Sequence, residues 1–228
     1  MENKLGKIKT VEEAMKYIND GCTVMMAGFG AIGTSYVLCQ AIYEKNVQDM
    51  TVISLDAGDV GVGLDNLVCN RQCRKLITSH IGFTKGCVDL YNAGELEVEF
   101  SPQGTLAERV RAGGSGLGGF LTEVGLNTII EEGKRKITVD EKEYILEKPL
   151  TADVAIILAE KADEYGNLVY SKTARGMNPV MAKAAKTTIA AAKEIVAAGS
   201  IDPEEVVTPG AYVDIIVQER GEWNWPWM

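Results

Sequence analysis

From residue 11 to about 112 the chain alternates helical stretches with short strand-like runs, and Gly-rich turns separate them. Segments of period 3.6 taken in turn with buried apolar runs are how a parallel sheet flanked by helices reads, so the class is α/β. Residues 11–19, VEEAMKYIN, put Val11, Ala14, Met15 and Ile18 on one helical face before Gly21. CTVMM (22–26) reads as a strand buried on both faces, followed by the loop AGFGAIGTS and the helical run YVLCQAIYEKN. MTVISL (50–55), KLITS (75–79) and ELEVEFS (95–101) repeat the strand theme, and TLAERVRAGG (105–114) reads as a helix with a glycine stop.

Beyond residue 120 the pattern changes. KITVDEKEYILEK (136–148) alternates around a polar centre as a β-hairpin does, ADVAIILAE (152–160) reads as another strand, and a turn is expected at Tyr165-Gly166-Asn167. The Ala-rich run VMAKAAKTTIAAAKEIV follows without a linker. One domain over 1–218 is therefore expected, a mostly parallel sheet plus an antiparallel hairpin region, with 219–228 as an exposed tail carrying three tryptophans. At 228 residues, 46% of them hydrophobic and 24% charged, the chain can bury one substantial core.

A net charge of -9 disfavours nucleic acid and anionic membrane as partners, although a local site could still hold a small polyanion. The opening MENKLGKIKT is polar and has no apolar run of signal or spanning length, so a cytoplasmic location is expected. The five cysteines, Cys22, Cys39, Cys69, Cys73 and Cys87, are odd in number and irregularly spaced, which suits reduced structural thiols. No histidine pair or second cysteine pair completes a zinc set with Cys69 and Cys73, and no metal is expected.

Three stretches could carry chemistry. The loop of Ala27, Gly28, Phe29, Gly30, Ala31, Ile32 and Gly33 joins a buried strand to a helix, where free N–H groups and the helix end would favour an anion; close packing is the alternative. Gln103, in Ser101-Pro102-Gln103-Gly104-Thr105, is a side-chain amide at a strand end, able to stabilise an oxyanion or else to cap the next helix. The run Gly113, Gly114, Ser115, Gly116, Leu117, Gly118 and Gly119 is entropically expensive to order, which suggests close approach to a ligand. His80 reads as structural, and Glu108-Arg109-Val110-Arg111 as a charged helix face with local ion pairs. Glu108 and Glu123 are carboxylates that could in principle serve as nucleophiles.

Together, AGFGAIGTS at 27–35 and SPQGTLAERVRAGGSGLGGFLT at 101–122 resemble the α-type chains of family I coenzyme A transferases, whose patterns are G-G-F-x-x-x-G-x-P and P-Q-G-T-L-x-E-R-x-R-A-G-G-x-G. Lys75–Gly82, Pro149–Asp153, Gly166-Asn167, Asn178-Pro179 and Thr208-Pro209-Gly210 extend the resemblance over nearly the whole chain. It looks closest to the kind acting on acetoacetate, butyrate or acetate. The resemblance implies ping-pong transfer through a glutamyl-CoA thioester, with the glutamate in an S-E-N-G motif of a β-type chain; no S-E-N-G occurs here. It also implies CoA as a substrate with no permanently bound cofactor, and a heterotetramer of two α-type and two β-type chains. The 27–33 loop would bind CoA, Gln103 would lie at the reacting carbonyl, and 113–119 would form part of the site wall. Ala27, Ser35 and the stretch 123–127 depart from the family wording. The competing readings are a noncatalytic CoA- or nucleotide-binding regulator on the same scaffold, and a self-sufficient hydrolase using Glu123 or Glu108.

Overall fold

The computed structural model describes residues 3–221. Its first half runs α1 (Val11–Ala14), β1 (Thr23–Met26), α2 (Tyr36–Lys45), β2 (Met50–Ile53), α3 (Leu64–Cys69), β3 (Cys73–Thr78), α4 (Lys85–Asn92), β4 (Glu97–Phe100) and α5 (Gln103–Gly114). The second half adds β5 (Phe120–Thr122), β6 (Lys136–Val139), β7 (Lys142–Glu147), β8 (Ala152–Asp163), β9 (Leu168–Val169), α6 (Asn178–Met181), β10 (Ala185–Val196) and β11 (Ile215–Gln218). The α/β class and the mostly parallel sheet expected from the sequence are both present.

The main sheet has the order β11-β10-β8-β1-β2-β3-β4, and each neighbouring pair along it is parallel. Only β9 runs antiparallel, on β8. Strands of such a sheet are buried on both faces, and the side-chain alternation sorts them into two cores. Val24, Met26, Val154, Ile156 and Ile189 enter the core under α1 to α4, whereas Met25, Ala155, Ile157 and Ala190 enter the one that holds Leu106 and Val110 of α5 and Met181 of α6. Helices thus cover both faces.

Two segments depart from simple propensity. The Ala-rich run is good helix-forming material, yet most of it is β10, because Ala190, Ala191 and Ala192 are sealed between β8 and β11 where small side chains fit both cores. The expected helix over 11–19 is one α turn followed by a 3-10 turn at Met15–Tyr17, started by a reciprocal Thr10/Glu13 capping box. Ala14, Met15 and Ile18 are nevertheless buried as that reading requires.

The hairpin forms as β6 and β7, turning through Asp140 and Glu141 with φ of 47° and 64°, the left-handed pair that a two-residue turn demands. Phe120–Thr122 pairs with β7 to make a separate three-stranded antiparallel sheet. A buried ion network pins this small sheet to the main body. Arg109, 7% exposed, reaches Glu99 at 2.9 Å and donates from Nε to the Lys148 carbonyl at 3.0 Å, while Lys134 meets the buried Glu147 at 2.6 Å. The expected charged helix face is therefore half right: Arg111 pairs with Glu108 at 2.7 Å on the surface, but Arg109 turns inward.

The exposed tail expected from Glu219 needs correction at its first residue. Glu219 accepts hydrogen bonds from Ser35 Oγ at 2.5 Å and from the Val37 amide at 3.0 Å, so it belongs to the folded body. Residues 222–228, with the three tryptophans, lie outside the described residues.

Candidate active site at the carboxyl edge of the sheet

Strands β2, β3 and β4 lie on one side of β1, and β8, β10 and β11 on the other. The order reverses between β1 and β8, and the crevice outside the carboxyl ends at such a reversal is where open α/β sheets bind ligands. β8 pairs with β1 from Val154 as far as Ile156, so residues 157–163 stand beyond the end of β1 as a wall. The 27–33 loop leaves β1 against that wall. A cavity of about 560 Å³ opens there, between Ala31–Thr34 on one side and Ser171–Ala174 on the other, with Leu158 and Glu160 of β8 contributing.

The loop is a closed ring. Phe29 and Ile32 exchange backbone hydrogen bonds at 2.9 and 3.0 Å, and Thr34 Oγ1 donates to the Gly30 carbonyl at 2.8 Å. Gly28 has φ of 123°, and a Cβ there would lie 1.9 Å from Thr34 Oγ1, so glycine is required. At the tip Phe29 and Ile32 stay 43% and 46% exposed.

The anion cradle expected of this loop is filled by the chain itself. The Gly30 amide donates to Asp56 Oδ2 at 2.8 Å and the Ala31 amide to Asp59 Oδ2 at 3.2 Å. The start of α2 is likewise occupied, since the Val37 amide donates to Glu219 and the Leu38 amide to the N-cap Ser35. A phosphate at these amides would have to displace carboxylates, so what the loop presents outward is apolar. Burial raises Asp56 and Glu219 above the usual carboxylate range.

Asp56, Asp59 and Glu219 were not among the residues singled out from sequence. LDAGDVG, the glycine-rich turn after β2, carries the same strand-loop-helix signal as 27–33 and could have flagged the first two.

Gln103 stands at the same carboxyl edge, after β4. Pro102 holds the N-cap position without a side-chain bond and Gln103 is the first residue of α5, exposed, with no hydrogen bond from its amide among the described residues, so it does not cap the helix. From β1 to β4 is three strand spacings, roughly 14 Å, so the loop and Gln103 share an edge without touching. Between them, after β3, lies His80, its ring flanked by Phe29 and Phe83 at centroid distances of 5.8 and 5.1 Å. Ser79 Oγ gives its proton to the Leu55 carbonyl at 2.6 Å and therefore accepts from His80 Nδ1 at 2.9 Å. Nε2 is buried without a hydrogen-bond partner among the described residues.

A model of the family described as coenzyme A transferase matches residues 8–219 of this sequence. The chain belongs to the coenzyme A transferase family. It is 48% identical to the probable coenzyme A transferase subunit alpha of Bacillus subtilis (strain 168), over 97% of each chain. With the acetate CoA-transferase subunit alpha of Escherichia coli (strain K12) it shares 44% identity over 92% of this chain and 96% of that one. With the acetoacetyl-CoA:acetate/butyrate CoA transferase alpha subunit of Clostridium acetobutylicum it shares 45% over 93% and 98%. The fold matches the crystal structure of glutaconate coenzyme A-transferase from Acidaminococcus fermentans with a TM-score of 0.82 at 22% identity, over 93% of this chain and 75% of that one. An acyl-CoA transferase from E. coli O157:H7 in thioester complex with CoA gives the same TM-score at 22% identity; the match covers 92% of this chain but about half (49%) of that longer one.

Two of the three departures from the family wording have local explanations. Ala27 carries no positive φ and its amide continues the ladder to the Ile156 carbonyl at 3.2 Å, so its Cβ is tolerated. Ser35 takes the N-cap of α2 where proline is usual, which lets it bind both Leu38 and Glu219. Nothing in the structure explains the change at 123–127.

The glycine run 113–119 is the expectation that the fold moves furthest. Helix α5 spans about 18 Å and carries the chain from the carboxyl edge back to the amino edge. There a Cβ on Gly113 would sit 1.9 Å from the Leu150 carbonyl oxygen, and one on Gly114 would meet Lys183, just ahead of β8 and β10. The close approach is to the chain's own backbone. Ser115, Gly116, Leu117 and Gly118 are exposed, Gly119 packs on the Glu147 carbonyl, and none of the seven joins the 27–33 loop or Gln103 within this chain.

Glu108 and Glu123 are half-exposed and ion-paired, with Arg111 and Lys142 respectively. The cysteines are free thiols, and burial pushes Cys69 and Cys87 up to about 11, which disfavours their thiolate forms at neutral pH.

Proposed function

We propose that this chain is the half of a heteromeric CoA-transferase that supplies the CoA-binding loop and an oxyanion donor, and that a β-type partner supplies the nucleophile. One observation carries the reading. The carboxyl edge offers an apolar loop tip and the exposed amide of Gln103, while the carboxylates beside them are engaged: Asp56 and Asp59 tie the loop, Glu219 accepts from Ser35 and Val37, and Glu160 pairs with Lys193 at 3.2 Å. An acyl-transfer site needs an attacking group, and on this reading the partner supplies it. The curated relatives are subunits named alpha, matched nearly end to end, and no S-E-N-G occurs in this sequence.

On this reading the substrates are a short acyl-CoA, butyryl-CoA or acetyl-CoA, and acetoacetate or a related short carboxylic acid. The partner's glutamate attacks the thioester carbonyl, forming an acyl-glutamyl anhydride and releasing CoA thiolate. The thiolate then attacks the glutamyl carbonyl, which frees the first carboxylate and leaves a glutamyl-CoA thioester. The acceptor acid reverses these two steps. Gln103 would donate its amide N–H to the oxygen that gains charge in each addition. The outward apolar face of Phe29 and Ile32 suits the pantetheine arm better than phosphate, because the loop amides already face carboxylates. CoA is a substrate and not a resident cofactor. The assembly would pair two α-type with two β-type chains in the cytoplasm; no helix among the described residues is long and apolar enough to cross a membrane.

The test is CoA transfer from butyryl-CoA to acetoacetate, measured for this chain alone and for this chain with a co-encoded β-type chain. Activity only in the mixture, lost on changing the S-E-N-G glutamate, is expected. Full activity from the isolated chain would overturn the reading.

A further inference from the structure

Asn178 is fully buried, and its side chain joins three separate pieces of the crevice. Its Oδ1 accepts from the Leu158 amide on β8 at 2.8 Å. Its Nδ2 donates to the Gly33 carbonyl at 3.1 Å and to the Ala174 carbonyl at 2.7 Å. Gly33 is the exit of the 27–33 loop, and Ala174 belongs to the 171–174 segment on the far side of the cavity. The fit is close, because a Cβ on Gly33 would lie 2.7 Å from the Ala174 oxygen. Lys172 in that segment is held at φ of 49°, a left-handed conformation unusual for a lysine that persists only where surrounding structure imposes it.

We propose that Asn178 is a positioning residue for the CoA thioester: it fixes the spacing between the 27–33 loop and the 171–174 wall, and so the width of the crevice at the β1/β8 reversal. The inference rests on the reading that the loop binds CoA. Only a side chain with one acceptor and two donors can serve one amide and two carbonyls, which asparagine does and aspartate of the same shape cannot. Asn178→Asp would keep the bond to Leu158 and turn a carboxylate oxygen toward the two carbonyl oxygens, pushing loop and wall apart.

The experiment uses the assembled enzyme with its β-type partner and compares Asn178→Asp and Gly33→Ala with Ile18→Val, a core change remote from the crevice. Thermal unfolding and steady-state kinetics in acyl-CoA are measured on each. A purely structural residue would lower stability and leave the KM of the folded enzyme unchanged, as Ile18→Val does. A positioning residue raises KM for acyl-CoA, by about tenfold for the loss of two buried hydrogen bonds, with kcat changed much less. Phe29→Ala and Ile32→Ala test the underlying reading directly. If they raise KM while Asn178→Asp and Gly33→Ala match the Ile18→Val control, the positioning role is wrong and the loop reading stands. If they too leave KM unchanged, the loop reading fails and the inference with it.

Discussion

The stretches 27–33 and 113–119 look alike in sequence, each glycine-rich and next to a helix, and they do opposite things. At 27–33 the glycines make a ring whose amides are held by Asp56 and Asp59 and whose apolar tip faces outward at the carboxyl edge. At 113–119 the first two glycines let the end of α5 lie against the backbone leading into β8 and β10, at the other edge of the sheet. Glycines that let a loop close on itself beside a crevice and glycines that let a helix end meet the next backbone cannot be told apart by composition. The position of the segment relative to strand direction separates them.

Substitutions can break that comparison, and the largest effect is expected at the amino edge. Gly113→Ala puts a methyl group into the Leu150 carbonyl and should destabilise the chain by about 3 kcal/mol in urea unfolding, with KM for acyl-CoA unchanged in the folded enzyme. Gly28→Ala forces an alanine to φ of 123° and should cost about 2 kcal/mol while also raising KM. Equal kinetic effects from the two would mean that both stretches meet substrate.

A pH comparison sharpens the picture. Asp56, raised by burial, binds its proton more readily in the fold than in the unfolded chain, so its contribution grows as pH falls through that raised value and is lost as pH rises through it. Glu99 behaves in reverse: burial would raise it, but hydrogen bonds from Lys75 and Arg109 outweigh burial and hold it low, so its contribution is lost as pH falls through that lowered value. Denaturant midpoints followed from pH 7 downward should show Asp56→Asn losing the gain above the ordinary carboxylate range, and Glu99→Gln losing less stability below it than the parent. The smallest effect belongs to Gly118→Ala, in open space with no positive φ, which should change stability by no more than about 0.5 kcal/mol and leave kinetics alone.

Much of the fold was legible because burial on both faces leaves apolar runs such as TVMM, and because helix and turn signals fall between them. The hairpin was legible from its alternation, while β5, with three residues, is too short to carry a period. β10 was not assignable, since its alanines favour helix and only the neighbours β8 and β11 make it a strand. The loop and Gln103 were singled out by their strand-end positions, and both stand at the carboxyl edge. Asp56, Asp59, Asn178 and Glu219 were not, because the contacts that tie them to the loop and to β8 join residues 20 to 184 apart, and no local pattern records such contacts. Arg109 was misplaced for the same reason: its partners Glu99 and Lys148 flank it on other elements.

The most direct test of the half-enzyme account is intact mass analysis of the mixed chains after incubation with acyl-CoA and borohydride-free quenching. The account predicts a CoA adduct on the β-type chain alone, absent when its S-E-N-G glutamate is replaced. An adduct on this chain, mapping to Glu108 or Glu123, would contradict it.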